Sequence, residues 1–397
     1  MKILVLNSGS SSLKFQVIDP KSEKSLLKAH VDGIGLPTCE YNYSYGEKKS
    51  TEKKKIKDHS EAVRTGLKTV DEHIGLDKIN AIGHRVVHGG EFYSDPTFIT
   101  PAVIKRIKQL FDLAPLHNPP NLAGIIACKK LLPKIPQIAV FDTAFHQSMP
   151  AHSYLYAIPY EYYQKYKIRK YGFHGTSHKY VAHVAAKMLK MPLSRCNLVT
   201  CHLGNGSSVT AIREGKSIDT SMGFTPLQGL IMGTRSGDID PEVVSFLQDK
   251  LKKDGHEVIN VLNKKSGLKG ICGYSDVRTI HEKALKGNKK CELALDMFAC
   301  RFVHYIGAYI AKLPYVHAIV FTAGIGQGAY YLRKKVCDML ANVGVKIDYK
   351  KNTKNRAVDY VDDITARGSK IKVFVIPTNE ELMIAKETAG IVGKKKR

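Results

Sequence analysis

Five short segments of the chain set Arg, His, Asn or Asp among glycine, proline and aromatic residues. They are GHRVVHGGE (83–91), PLHNPPNL (115–122), FDTAFHQ (141–147), YGFHGTSH (171–178) and MGTRSGDIDP (232–241). A charge flanked by small or apolar residues is typical of a pocket lining, whereas charges in open runs are typical of a solvated face. Arg85 and Arg235 are the strongest candidates, because a guanidinium can bind a carboxylate or a phosphate through two hydrogen bonds. The segments therefore favour a site for anionic oxygens.

Three glycine-rich turns follow apolar runs, in NSGSSSLK (7–14), HLGNG (202–206) and AGIGQG (323–328). Backbone N–H groups in such turns can hold phosphate, and glycine allows the backbone a close approach. The first turn is not a Walker A loop, because Lys14 is followed by Phe15 and a strand instead of Ser or Thr and a helix. Since ligands bind at strand ends in α/β proteins, the recurrence of the turn predicts nucleotide binding.

Two histidine pairs, His84/His88 and His174/His178, have the four-residue spacing that binds metal on a helix. Glycines at 89–90, 172 and 175 argue against helix there, and the Glu of a His-Glu-x-x-His motif is missing. The pairs are interpreted as structural histidines in preference to a zinc site.

The elements that would position these residues alternate between strands and helices. Apolar residues 3–6 and alternating residues 13–17 predict a hairpin, and a similar unit at 197–213 repeats its Gly-Ser-Ser turn with an offset of 197 residues. This suggests a duplicated domain. A third strand precedes the turn at 323–328, and helical patterns cover 60–74, 101–113, 176–191, 240–253, 289–313, 329–342 and 379–392. The pattern predicts an α/β fold with largely covered sheets.

The insert at 38–57 mixes tyrosines with lysines. Tyr41, Tyr43 and Tyr45 alternate with other residues, which favours a surface β-segment over a mobile loop.

Composition narrows the class of protein. The 397 residues, 43% of them hydrophobic, are enough for roughly two or three globular domains. The formal net charge is +25, but outside the clusters at 46–58, 346–356 and 394–397 it is dispersed, which disfavours nucleic-acid binding as the main function. The apolar run 3–6 is too short for a signal peptide, and no stretch approaches the roughly 18 apolar residues of a membrane span. Eight cysteines without a Cys-x-x-Cys pair favour free thiols in a reducing cytoplasm.

Together these segments resemble the acetate kinase (acetokinase) family. Nine motifs run in the family's order between residues 7 and 385: NSGSSSLKF, GHRVVHGGE, PLHNPPNL, FDTAFH, YGFHGTSH, HLGNGSS, DTSMGFTPL, MGTRSGDIDP and PTNEELMIA. The resemblance implies two duplicated actin/ribonuclease-H-like α/β domains with a nucleotide cleft between them, and a cytoplasmic homodimer. Residues 1–146 with 380–397 would form the N-terminal acetokinase domain, and 147–379 the nucleotide-binding domain.

The resemblance also implies roles for individual residues. Asn7 and Glu380 would hold Mg²⁺ or Mn²⁺, Asp142, His174 and Arg235 would be catalytic, and Arg85 would bind the substrate carboxylate. The substrate methyl group would contact Val87, Leu116, Phe173 and Pro226. ATP or ADP would contact Lys14, His202, Leu203, Gly204, Asn205, Gly206, Asp276, Val277, Arg278, Gly324, Ile325, Gly326, Gln327 and Gly328.

Two segments depart from the family pattern. Gln327 and Gly328 replace the usual Glu-Asn, which affects contacts on the adenine side. The segment 270–278 looks one residue shorter than usual, which affects the placement of Asp276.

The implied activity is reversible, metal-dependent, in-line transfer of the γ-phosphoryl group of ATP to acetate, giving acetyl phosphate and ADP. A carboxylic acid with a pKa of about 4 is ionised at neutral pH, so the nucleophile needs no general base. We therefore expect Asp142 to orient Arg85 or a water on the metal. A propionate kinase shares these motifs, and a non-catalytic actin-like ATP-binding protein is disfavoured because it would not need Arg85, His174 and Arg235.

Overall fold

The computed structural model describes residues 1–354 and 360–395. The chain forms two compact units, the first made of Met1–Gln147 with Asn379–Arg397 and the second of Ser148–Thr378. Residues 355–356 and 396–397 of the lysine-rich clusters lie outside the described residues.

The first unit is built on a mixed sheet. Its strands are β1 (Ile3–Ser8), β2 (Ser12–Asp19), β3 (Lys24–Asp32), β4 (Cys39–Tyr45), β5 (Lys48–Lys54), β6 (Ala81–Val86), β7 (Thr97–Phe98) and β8 (Gln137–Phe141). They are ordered β5-β4-β3-β2-β1-β6-β8-β7, and β1, β6 and β8 run parallel. The predicted β1–β2 hairpin is confirmed. The tyrosine-rich insert is confirmed as a β-segment, which forms the β4–β5 hairpin.

The second unit has a smaller sheet. Its strands are β9 (Leu198–Leu203), β10 (Ser207–Arg213), β11 (Lys216–Thr220), β12 (Ala318–Thr322), β13 (Asp362–Asp363) and β14 (Lys372–Val375). The order β11-β10-β9-β12-β14 repeats β3-β2-β1-β6-β8 of the first unit, with an antiparallel hairpin followed by two parallel neighbours in both. The topology confirms the predicted duplicated α/β fold.

Helices cover these sheets. They are α1 (His59–His73), α2 (Pro101–Gln109), α3 (Asn118–Leu131), α4 (Ala151–Tyr154), α5 (Tyr160–Tyr166), α6 (Gly175–Met188), α7 (Glu242–Leu251), α8 (Gly255–Lys264), α9 (Gly267–Cys272), α10 (Val277–Leu285), α11 (Lys289–Lys312), α12 (Ala323–Gly328), α13 (Tyr330–Met339), α14 (Tyr349–Lys354) and α15 (Glu380–Lys395). Each of the seven predicted helices is present, with ends displaced by up to four residues.

Local chemistry explains how α1 packs on the first sheet. Asp58 caps the helix by accepting a hydrogen bond from the Glu61 N–H, and the buried face carries Val63 and Leu67. A Cβ at Gly66 would lie 2.4 Å from the Phe15 ring, so only glycine lets α1 approach β2 this closely.

Two local predictions were wrong, and one helix was not predicted. In PLHNPPNL, to which no helix was assigned, α3 begins at Asn118, because proline is accommodated in a first helical turn. The glycine-rich 323–328 is the short helix α12. The glycines at 172 and 175 do not prevent helix, since α6 begins at Gly175 and contains His178.

The centre of the second unit is α11. Phe298, Phe302 and Ile306 are fully buried against the strands of its sheet. By length and composition α11 is also apolar enough to cross a membrane, which the sequence reading did not anticipate. The buried face of α11 belongs to the hydrophobic core of the second unit.

All eight cysteines are free thiols, as predicted.

Candidate active site

Four of the candidate residues meet in the first unit, at the carboxyl ends of its parallel strands. Asn7 lies near the end of β1, Arg85 near the end of β6, Asp142 directly after β8 and Glu380 at the start of α15. Arg85 donates from Nε and Nη2 to the two Asp142 carboxylate oxygens at 3.2 and 2.5 Å, and from Nη1 to Asn7 Oδ1 at 3.1 Å. A Glu380 oxygen lies 3.7 Å from Arg85 Nε. The hydrogen bonds to Asp142 and Asn7 fix the plane of the Arg85 guanidinium.

Electrostatics reinforce this cluster. Burial opposes the charge on Arg85, but Asp142 and Glu380 outweigh it and raise the pKa of Arg85. Burial raises the pKa of Glu380 well above its usual range, against the opposing effect of Arg85, and the Asp142 and Glu381 carboxylates raise it further. Burial therefore disfavours the charged form of Glu380 in this cluster.

Two buried asparagines brace the backbone beside Arg85. Asn121 accepts a hydrogen bond from the Val87 N–H at 2.9 Å and donates to the Ser8 carbonyl at 2.5 Å. Asn118 accepts from the His88 N–H and donates to the His88 carbonyl, both at 3.0 Å. Sequence reasoning had singled out the segment but neither asparagine. Their signal was two amides three residues apart in a proline-rich stretch.

Of the candidate contacts of the methyl group, Val87 and Leu116 belong to the first unit and Phe173 and Pro226 to the second. Val87 and Phe173 are buried, and the Pro226 carbonyl accepts a hydrogen bond from Arg235. Leu116 is 67% exposed in the first unit. Lys14 pairs with Asn7 in the β1–β2 register.

A second cluster forms in the second unit around Gly206. A Cβ at Gly206 would lie 3.4 Å from Arg235 Nη1 and 3.4 Å from His174 Cε1 and Nε2, so both side chains converge there. His174 caps α6 with a left-handed φ of 58°, and its Nδ1 hydrogen-bonds Ser208 Oγ at 2.9 Å. Its ring stacks on His202 with centroids 4.1 Å apart. The imidazole is thus held from two sides.

Arg235 is held differently from Arg85. Its Nη1 donates to the Pro226 carbonyl at 3.2 Å, and Arg235 makes no ion pair within the part of the chain that the structure describes. Burial lowers its pKa. A desolvated guanidinium without a carboxylate suits an incoming anion.

The histidine pairs proposed as structural side chains make hydrogen bonds of that kind. His84 Nε2 contacts Gln137 Oε1 at 2.9 Å, and His178 lies between Thr200 Oγ1 and Ser208 Oγ, each at 2.8 Å.

Eight of the candidate nucleotide residues line one cavity of about 430 Å³ in the second unit. They are Gly204, Asn205, Asp276, Val277, Arg278, Gly324, Ile325 and Gly328. A Cβ at Gly324 or Gly328 would meet open space, which leaves room for a ligand. Despite the shorter segment, Asp276 is at the cavity wall, where it caps α10 by accepting from the Thr279 N–H at 2.8 Å. The cavity brings together three chain segments that the sequence had connected with ATP.

The remaining nucleotide candidates lie elsewhere. His202 and Leu203 are buried in β9, Gly206 belongs to the Arg235 cluster, and Gly326 and Gln327 are buried within α12. Lys14 is in the first unit.

Sequence reasoning missed Ser275, Ala329 and Tyr331 in the cavity wall, and Arg333 behind it. Arg333 is buried and donates from Nη1 to the carbonyls of Gly326 and Gln327 at 2.7 and 2.6 Å. Burial lowers its pKa to about 10. Nothing in the sequence could identify it, because its partners there are backbone carbonyls.

The duplicated α/β units belong to the actin-like fold class. More particularly, the chain belongs to the acetokinase family, whose sequence pattern matches residues 2–386. It is 52% identical to an acetate kinase from Carboxydothermus hydrogenoformans, over 100% of both chains.

Solved structures agree with this assignment. A propionate kinase from Francisella tularensis is 44% identical, with a TM-score of 0.93 over 98% of this chain and 99% of that one. An acetate kinase from Porphyromonas gingivalis is 41% identical, with the same TM-score and coverage.

Proposed function

We propose that the protein reversibly transfers the γ-phosphoryl group of ATP to acetate, giving acetyl phosphate and ADP. The observation that carries the proposal is Arg235, a desolvated guanidinium without an ion pair among the described residues, which converges with His174 on Gly206. Membership of the acetokinase family supports the same activity.

Arg85 is the proposed acetate ligand. Asp142 holds it through two hydrogen bonds, so its remaining donor surface is presented in one orientation. Acetate is already an anion at neutral pH and needs no proton removed before it attacks phosphorus. Asp142 therefore serves to orient Arg85. Val87, Leu116, Phe173 and Pro226 remain the proposed contacts of the methyl group.

Arg235 and His174 are proposed to stabilise the transferring phosphoryl group. Phosphoryl transfer depends mainly on positioning and on compensation of charge at the phosphate oxygens, and a well-placed arginine is worth about 10³–10⁵ in rate. The left-handed N-cap conformation and the Ser208 contact keep the His174 ring directed at Gly206.

The cavity beside Asp276 is the proposed nucleotide site. Its glycine-lined wall leaves room for a ligand and Arg278 supplies a cation. We retain residues 1–146 with 380–397 as the proposed acetokinase domain and 147–379 as the nucleotide-binding domain.

Mg²⁺ or Mn²⁺ fits the donors of the first unit. Asn7 offers an amide oxygen, and Glu380 offers a carboxylate whose charged form burial disfavours and a bound cation would favour. Mg²⁺ is commonly held by one or two carboxylates plus substrate phosphates, so no group of three protein ligands is required. When bound, the ion would neutralise charge on the phosphates of ATP.

A homodimer is proposed through the outward face of α11. Leu293 and Met297 are 53% and 40% exposed there. If two copies of α11 pair antiparallel about their midpoint, Leu293 lies opposite the small side chain of Ala308, and Met297 lies opposite the imidazole of His304. Apolar stripes of this kind usually mark protein interfaces.

Cys300 lies near the midpoint of that face and is the most exposed cysteine of the chain. A short bismaleimide should link two copies through Cys300 and leave Cys300→Ser unlinked. A monomer mass in solution together with no crosslink would contradict the dimer. The eight free thiols also support a reducing compartment, for which we propose the cytoplasm.

Propionate kinase activity is the second candidate, favoured by the similarity to the Francisella enzyme structure. Trapping the acyl phosphate with hydroxylamine, in the presence of Mg-ATP and acetate, propionate, butyrate or no acid, tests both. We expect the largest hydroxamate signal with acetate. A larger signal with propionate would favour the second candidate, and no signal with any acid would leave only an actin-like ATP-binding role.

A further inference from the structure

The loop that carries Arg235 is closed at its base by two residues. The Gly229 N–H donates to Asp238 Oδ1 at 2.9 Å, and the Asp238 N–H donates back to the Gly229 carbonyl at 3.0 Å. Arg235 lies within this closed loop. The Pro226 carbonyl, which accepts a hydrogen bond from Arg235, lies three residues before Gly229. The two Gly229–Asp238 hydrogen bonds therefore fix the backbone near Arg235 and near its acceptor, Pro226.

The base is anchored on α11. Tyr305 OH donates to Asp238 Oδ2 at 2.6 Å, and Arg301 Nη1 lies 3.3 Å from the same oxygen. Arg301 also donates to the Gly229 carbonyl at 3.3 Å. Since the other side of α11 is buried in the core of the second unit, the anchor is rigid.

Close backbone contacts at two glycines restrict the conformation of the loop. Gly237 has a φ of 72°, and a Cβ there would lie 2.5 Å from the Gly229 carbonyl oxygen. Gly267 has a φ of 60°, and a Cβ would lie 2.5 Å from the Arg235 carbonyl oxygen. Side chains at either position would push the loop away.

We propose that Asp238, anchored by Tyr305 and Arg301, is a positioning residue that sets the direction of the Arg235 guanidinium. Arg235 has no carboxylate among the described residues to orient it, unlike Arg85 with Asp142. Its direction is inherited from the loop. The inference rests on the role of Arg235 in the proposed function.

The test is Tyr305→Phe, which removes one hydroxyl and keeps the ring. Turnover should fall about tenfold, because displacements of an ångström or less at the reacting centre are costly, while KM for ATP and acetate stays within about twofold. Asp238→Asn replaces the carboxylate that Tyr305 and Arg301 share, and it should lower turnover at least as much. Asp296→Asn is the matched control, because Asp296 is also on α11 but pairs with Lys335, and its turnover should stay at the wild-type level.

A double-variant cycle separates positioning from a general structural effect. In an Arg235→Ala background, Tyr305→Phe should have no further effect on turnover, because the group it positions is gone. If Tyr305→Phe is as fast as wild type, or slows both backgrounds equally, the positioning role is overturned and the role of Arg235 stands. If Arg235→Ala alone keeps wild-type turnover, the role of Arg235 in the proposed function is wrong, and the positioning role falls with it.

Discussion

The two arginines of the proposed site differ in what holds them. Arg85 makes two hydrogen bonds to the buried Asp142 carboxylate, whereas the Arg235 side chain, among the residues that the structure describes, donates to the Pro226 carbonyl and the Met232 sulfur. An arginine that is paired with a carboxylate, such as Arg85, already has its charge compensated and can orient a ligand through its remaining donors. An unpaired one gains most when negative charge arrives next to it. This division suits Arg85 to acetate and Arg235 to the transferring phosphoryl group.

Replacing Arg235 by alanine should reduce turnover by at least about 10²-fold, because charge at the phosphoryl oxygens loses its compensation. The fold should persist, since within the described part of the chain the Arg235 side chain makes two hydrogen bonds and no ion pair. Steady-state kinetics with thermal unfolding of the same sample measure both. Turnover close to wild type would contradict the role assigned to Arg235.

Asp142→Asn separates orientation from proton transfer. The amide keeps the size of the side chain but loses one acceptor of the Arg85 fork, so KM for acetate should rise by about tenfold or more. The shape of the pH profile of kcat should not change, because acetate donates no proton. Loss of one limb of that profile in the variant would show that Asp142 carries a proton.

At the scale of elements, helix caps position the nucleotide wall. Asp276 caps α10, whose first residues Val277 and Arg278 line the cavity, while Asp254 caps α8 with a capping box and lines no part of it. The two caps have the same chemistry in different surroundings. They provide a matched pair for separating stability from binding.

Asp276→Ala and Asp254→Ala should each lower the free energy of unfolding by about 1 kcal/mol, the usual effect of losing a cap. Only Asp276→Ala should weaken ATP binding, because only there does the helix start form the wall. Chemical denaturation and calorimetric titration with ATP measure the two effects. Equal ATP affinity in both variants would contradict the proposal that this cavity is the nucleotide site.

Sequence patterns were sufficient for the β1–β2 and β9–β10 hairpins, β12, the β4–β5 segment and seven helices, but not for the other strands or for every contact in the site. The β1–β2 and β9–β10 turns share Gly-Ser-Ser, which revealed the duplication. Arg85 and Asp142 are 57 residues apart, and they meet only because β6 and β8 are parallel neighbours. Helix α3 was not predicted, although its prolines fit a first helical turn. Pairing between distant strands cannot be obtained from local patterns.

At the scale of the whole molecule, buried neutral histidines link stability to pH. Burial lowers the pKa of His84 to about 4 and that of His88 to about 3. His88 Nδ1 accepts the Gly90 N–H, so protonation there would break a hydrogen bond. Because the pKa is near 6.5 in the unfolded chain, that chain binds more protons between pH 6.5 and 4, and stability falls as pH falls through this range.

The free energy of unfolding should decrease between pH 6.5 and 4.5 by up to about 1.4 kcal/mol per pH unit for each such histidine. His88→Gln should reduce that slope by the contribution of one histidine. Denaturant unfolding of both proteins at a series of pH values measures the slopes. Identical slopes would mean that His88 is already protonated in the folded protein.

The central claim is direct phosphoryl transfer from ATP to a carboxylate oxygen of acetate. Phosphorus NMR of the protein with Mg-ATP and doubly ¹⁸O-labelled acetate follows it without an auxiliary enzyme. We expect ADP and acetyl phosphate in equal amounts, with ¹⁸O in the bridge between phosphorus and the acyl carbon. Formation of ADP and unlabelled inorganic phosphate alone, at the same rate with and without acetate, would contradict it.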